Sequence, residues 1–175
     1  MEDHRNIPDA TKWRLAAECA AQLPALYDAA FRPIVGERFN EIEQEIWMEL
    51  SRTASDIARN LKLPTGNARD LAESLRTVMV ILFGPGFKNE AIDVAEDAAV
   101  IVIKRCPLLD EGCPVGADGA GTFHKCMALT LTAVPRLNKN YSARFVRTMC
   151  SGDRQCEVKI TRNEPSGLEK KPEKK

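Results

Sequence analysis

The chain has 175 residues, with 25 Lys plus Arg against 25 Asp plus Glu, and ordinary apolar (44%) and charged (29%) fractions. That length suits one domain that buries a core without staples. The even charge balance offers no broad attraction to phosphate backbones or anionic lipid, so no nucleic-acid partner is expected.

Residues 1–8 are expected to be flexible. They lack a basic stretch followed by an apolar one, the pattern of a secretory leader. Thr11 can cap a first helix to about Gln22, with Trp13, Ala16, Ala17 and Ala20 on one face. Pro24 and Pro33 then punctuate a second, short helix through Tyr27 and Phe31. After Gly36 comes a long periodic run, 37–63. Phe39, Ile42, Ile46, Leu50, Ile57 and Leu61 recur at helical spacings in it, with Glu41, Glu45, Glu49, Arg52 and Arg59 solvated. Pro64-Thr65-Gly66-Asn67 breaks this helix and caps the next, which carries Leu71, Leu75, Val78, Met79 and Leu82. The helical part therefore runs 9–83.

Gly84-Pro85-Gly86 is a turn. It lacks the Gly-x-Gly-x-x-Gly pattern, and no Lys-Ser/Thr follows, so it is not a phosphate cradle. In the remainder, 96–162, residues 98–105 are apolar on both faces and rich in β-branched side chains, which predicts a buried strand ended by Cys106-Pro107. The stretch 108–121, with its glycines and prolines, is a loop, and Thr122 caps a helix to about Val134. A strand over 141–150, a turn over 151–154 and a strand with Cys156, Val158 and Ile160 facing inward make a hairpin. The tail 163–175, rich in Lys, Glu and Pro, is expected to be disordered. The fold class is α+β: a helical N-terminal half, then a small antiparallel sheet with a strand-helix-hairpin unit. The apolar runs 78–83 and 98–103 fall far short of the roughly 18 residues a membrane span needs, so no membrane association and a cytoplasmic location are expected.

Five of the six cysteines lie between 106 and 156, while Cys19 stands alone. Thiols of a cytosolic protein are kept reduced, so a shared metal is favoured over a disulfide framework. Cys106 ends a strand, Cys126 starts a helix, and Cys150 and Cys156 bracket a hairpin turn, all places that converge at a sheet rim. Four thiolates there predict zinc, or alternatively an iron–sulfur cluster. The competing uses are as small core hydrophobes or as a cross-strand disulfide. Cys113 is a spare loop thiol. His124, two residues before Cys126, lies about 200° round the helix and points away from such a metal.

Val100–Cys106-Pro107, Cys126 and the run from Arg147 through Cys150 and Cys156 to Ile160 resemble the C-terminal part of the 4-vinyl-reductase-type ligand-binding domain. They also resemble the L-2-amino-thiazoline-4-carboxylate-hydrolase-like family. The resemblance covers about the last 80 residues. It implies a ligand-binding fold like that of the TRAPP transport subunits, with zinc beside a small-molecule pocket. Arg147 stands where the first family has a metal-ligating glutamate, and Cys106 would then supply the fourth ligand.

The expected function is a small-molecule-binding or sensory module with a structural metal, since a closed four-thiolate zinc cannot activate water. Its pocket, lined by Trp47, Phe83, Phe87 and Phe145, would take a small apolar or aromatic molecule. A homodimer through helix 37–63 is the expected mode of association. Two alternatives are an iron–sulfur redox protein and a hydrolase of a small cyclic amide-like substrate, with Asp110, Glu111 and Asp118 as candidate acid–base groups.

Overall fold

The computed structural model describes residues 6–109 and 119–164. Most of the expected flexible N-terminus, the loop with Asp110, Glu111, Cys113 and Asp118, and the tail after Glu164 lie outside these residues. The order of elements is α1 (Asp9–Val35), α2 (Arg38–Asn60), α3 (Ala68–Phe83), β1 (Lys88–Ala95), β2 (Ala98–Arg105), α4 (Gly119–Leu137), β3 (Tyr141–Arg147) and β4 (Cys156–Arg162). Short 3-10 turns occupy Pro107–Leu109 and Met149–Ser151. The fold is α+β, with helices preceding an antiparallel four-stranded sheet of order β1-β2-β4-β3.

Where two helices are expected before Gly36, there is one, of 27 residues, running through Pro24 and Pro33. A proline removes the hydrogen bond to the carbonyl four residues back. Those carbonyls belong to Ala20 and Ala29, both exposed residues on turns open to water. α3 starts as the sequence predicts: Asn67 Oδ1 accepts the backbone N–H of Asp70 at 2.8 Å. α4 begins at Gly119, so Thr122 is a buried residue within the helix rather than its cap.

α2 buries a different face from the one its large apolar residues predict. The buried positions are Phe39, Glu43, Trp47, Ser51, Ala54, Ser55 and Ala58, whereas Ile42 and Ile46 stand 40% and 62% exposed. Small side chains at 51, 54, 55 and 58 let α4, the main neighbour of α2, approach closely. Ser51 and Ser55 dispose of their hydroxyls by donating to backbone carbonyls within the helix.

β2 is the buried strand expected at 98–105, paired on both sides and covered on both faces through Ile103. Ala99, Ile101 and Ile103 join Cys156, Val158 and Ile160 of β4 in the main core, with Leu71 and Leu75 of α3 and Leu129 and Val134 of α4. β1 is absent from the sequence reading. It is an edge strand that buries only Ala91, so its sequence carries no strong alternation. Asp97, in the left-handed region at φ +52°, turns the chain from β1 into β2. Its carboxylate accepts from the Ala68 N–H (3.0 Å) and the Tyr141 hydroxyl (2.8 Å), joining the hairpin to α3 and β3.

Candidate functional site

α1 crosses α3 where the chain leaves that helix. Gly84 has φ +82°, and a Cβ placed there would collide with Ala17 Cβ, so only glycine lets the two helices meet so closely. A cavity of about 830 Å³ lies between α1 and α2, bordered also by the end of α3 and by Leu108. Tyr27 and Phe31 of α1, Phe39, Ile46 and Trp47 of α2, and Phe83 of α3 make its walls almost wholly apolar. From Phe39 to Thr53 the cavity follows α2 for about 21 Å at the rise of an α-helix. Its volume lies in the range of ligand pockets.

Of the four aromatic residues expected to line a pocket, Trp47 and Phe83 border this cavity. Their rings are stacked with centroids 6.2 Å apart. Phe87 packs against Phe83 at 5.8 Å within the core. Phe145 belongs elsewhere, edge-on to Phe123 of α4 at 5.3 Å.

Three polar residues break the apolar wall: Glu49 and Thr53 are exposed, and Glu43 is buried. Glu43 lines the cavity, and its Oε1 lies 3.1 Å from Nζ of Lys125 on α4. Lys125 Nζ is also 3.4 Å from Asp28 Oδ2 on α1. Arg32 Nη2 donates to the same Asp28 oxygen at 2.9 Å, and its guanidinium lies 5.1 Å from the centre of the Phe39 ring. Burial raises the Glu43 carboxyl pKa despite Lys125. Asp28 is held low, chiefly by its hydrogen bonds from Arg32. The sequence reading missed this quartet. Its signals were local: Asp28 and Arg32 one turn apart, and Glu43 one turn from both Phe39 and Trp47, on the side that became buried.

The cysteine expectation is corrected. Among the described residues, no group of three or more His, Cys, Asp and Glu side chains could hold a metal ion, so Cys106, Cys126, Cys150 and Cys156 do not form the expected zinc site. The iron–sulfur redox alternative and the sensory module built on a structural metal fall with it. Burial, reinforced by the neighbouring thiols of Cys156 and Cys150, pushes the Cys106 thiol up to about 12. Cys126 is pushed up further, again chiefly by burial. Cys156 sits in the core, and its Sγ accepts the Met149 N–H at 3.2 Å, which uses the sulfur to hold the 3-10 turn. The Cys150 N–H donates to Thr148 Oγ1 at 3.2 Å in the same turn. Cys19 is exposed on α1. His124 is exposed on α4. Arg147 lies 3.7 Å from Glu157 across the hairpin, an ordinary surface ion pair. The acids named for a hydrolase lie outside the described residues.

No protein-family model matches the sequence, and no curated protein matches it. The resemblance to the 4-vinyl-reductase-type and hydrolase-like families therefore has no support beyond its quoted residues. The fold does have a counterpart among solved structures: a trafficking protein particle complex subunit 3 from Naegleria fowleri, described as covalently bound to palmitic acid. It is 16% identical to this chain, with a TM-score of 0.59 over 86% of this chain and 96% of that one. At that identity the likeness concerns the fold. No helix among the described residues is long and apolar enough to cross a membrane.

Proposed function

We propose that this protein binds a long apolar chain between α1 and α2. The observation that carries the reading is the cavity itself: about 830 Å³, elongated along α2, and walled by aliphatic and aromatic side chains with Glu43 as its buried charge. Such a wall rewards the transfer of methylenes from water at about 0.8 kcal/mol each, while offering few polar groups to orient a compact polar substrate. The palmitic acid named for the structure of similar fold supports an acyl-sized occupant. None of the described cysteines borders the cavity, so the reading is of non-covalent binding.

Trp47 supplies the readout. With Trp13 replaced by phenylalanine, Trp47 is the remaining tryptophan, and titration with a long-chain alcohol should change its emission saturably. Ala20, exposed on α1 at the cavity wall, provides the control. Ala20→Phe should weaken binding about tenfold or more, equivalent to about 1.4 kcal/mol, with the melting temperature little changed. Unaltered binding in that variant would refute the reading.

A second reading concerns association. Ile42 and Ile46 of α2 stand exposed beside Tyr27 and Phe31 of α1, forming an apolar surface at the cavity mouth. Monomeric proteins rarely leave such a patch open, and a second copy laid along 37–63 would cover it. Sedimentation should then find a dimer in the wild type and a monomer in Ile46→Glu. A monomeric wild type at tens of micromolar would end the dimer proposal.

A further inference from the structure

Glu43 faces the cavity as part of a buried electrostatic set. Lys125 sits between the carboxylates of Glu43 and Asp28, and Asp28 is also bonded by Arg32. Each of these carboxylates is matched by a cation, Glu43 by Lys125 and Asp28 by Lys125 and Arg32. Lys125 and Glu43 have side chains only 6% and 10% exposed, so a further net charge placed beside them would be poorly solvated.

That pairing constrains what can approach Glu43 on the cavity wall. A ligand carboxylate would face the Glu43 carboxylate, whose partner Lys125 is already engaged by two acids. A ligand ammonium could pair with Glu43 only beside Lys125, leaving a surplus positive charge. A neutral group avoids both penalties. A carboxylate has about four acceptor positions, and Lys125 leaves Glu43 able to accept another hydrogen bond.

We propose that the ligand of this cavity is a long apolar chain ending in an uncharged hydrogen-bond donor, a hydroxyl or primary amide, seated against the Glu43 carboxylate. The inference rests on the reading of the cavity as an apolar-chain site and adds the chemical class of the head group. Glu43 is its specificity-determining residue, and Lys125, Asp28 and Arg32 hold that carboxylate in place. A hydrogen bond to a charged acceptor is strong enough to decide the preference, by a factor of about ten or more.

The test is a head-group series on one chain length, read by Trp47 emission near neutral pH: the alcohol, the primary amide, the methyl ester, the carboxylate and the amine. The alcohol and amide should bind about tenfold or more tighter than the other three. In the double variant Glu43→Met with Lys125→Met, which removes one charge of each sign and retains the Asp28–Arg32 pair, the chain should still bind. The advantage of alcohol over methyl ester should disappear there. An equal or greater affinity of the wild type for the carboxylate or amine overturns the head-group inference and leaves the apolar-chain reading standing. Persistence of the alcohol advantage in the double variant does the same. Failure of all five probes to bind overturns both. If the double variant does not fold, the wild-type series alone decides.

Discussion

Glu43 and Asp28 share Lys125 but respond to pH with opposite sign. The Glu43 carboxyl is raised by burial, so the folded state holds its proton more tightly than the unfolded chain. Its contribution is fully present below the ordinary value of 4.5 and declines as pH rises through the folded-state value. Asp28, held low chiefly by Arg32, contributes above its ordinary 3.8 and loses that contribution as pH falls through its lower folded-state value. Urea midpoints measured across the acid range should separate the two. Glu43→Gln removes the decline that begins above about pH 4.5, and Asp28→Asn removes part of the loss below about pH 4. The same slopes in both variants as in the wild type would show that the quartet does not titrate as its geometry requires.

At the scale of elements, the crossing of α1 over the end of α3 depends on one atom that is absent. Gly84 combines φ +82° with ψ 179°, a conformation other residues rarely adopt, and α1 fills the space where a Cβ would stand. Gly84→Ala should therefore destabilise the protein by about 2–4 kcal/mol through strain and displacement of α1, measured by urea unfolding. A loss under about 0.5 kcal/mol, typical of surface substitutions, would contradict the close approach. Element boundaries also mark where sequence patterning is informative. The Asn67 cap, strand β2 and the β3–β4 hairpin follow from local signals: a side-chain acceptor three residues before its N–H, a β-branched apolar run, and alternation about a turn. The break expected at Pro24 and Pro33 does not occur, because an outer helix can give its unpaired carbonyls to water.

For the whole molecule, the cavity couples ligand to fold. Three separate helices and Leu108 build its walls, so a ligand bound there stabilises the assembled state over the unfolded chain. At a hundredfold excess over its dissociation constant the gain is about 2.7 kcal/mol. For a chain of this size that raises the melting temperature by roughly 5–10 °C. A long-chain alcohol should produce this shift in a thermal scan, and Ala20→Phe should abolish most of it.

The sequence by itself determined the α+β order, the buried central strand, the hairpin and the helix cap, because each depends on residues within a turn or two of one another. Only the tertiary structure decided which side of α2 is buried. The large apolar residues Ile42 and Ile46 predict one face, but close packing against α4 selects the face bearing Ser51, Ala54, Ser55 and Ala58. That rotation brought Glu43 inward to Lys125, a partner distant in sequence, and left the larger side chains to border the cavity. The cysteines illustrate the same limit. The end of β2 and the β3–β4 hairpin are legible in local pattern, the start of α4 is not, and whether sulfurs become ligands depends on their final geometry. Here no group among the described residues could hold a metal ion, burial pushes the Cys106 and Cys126 thiols up, and Cys156 supports a turn within the core.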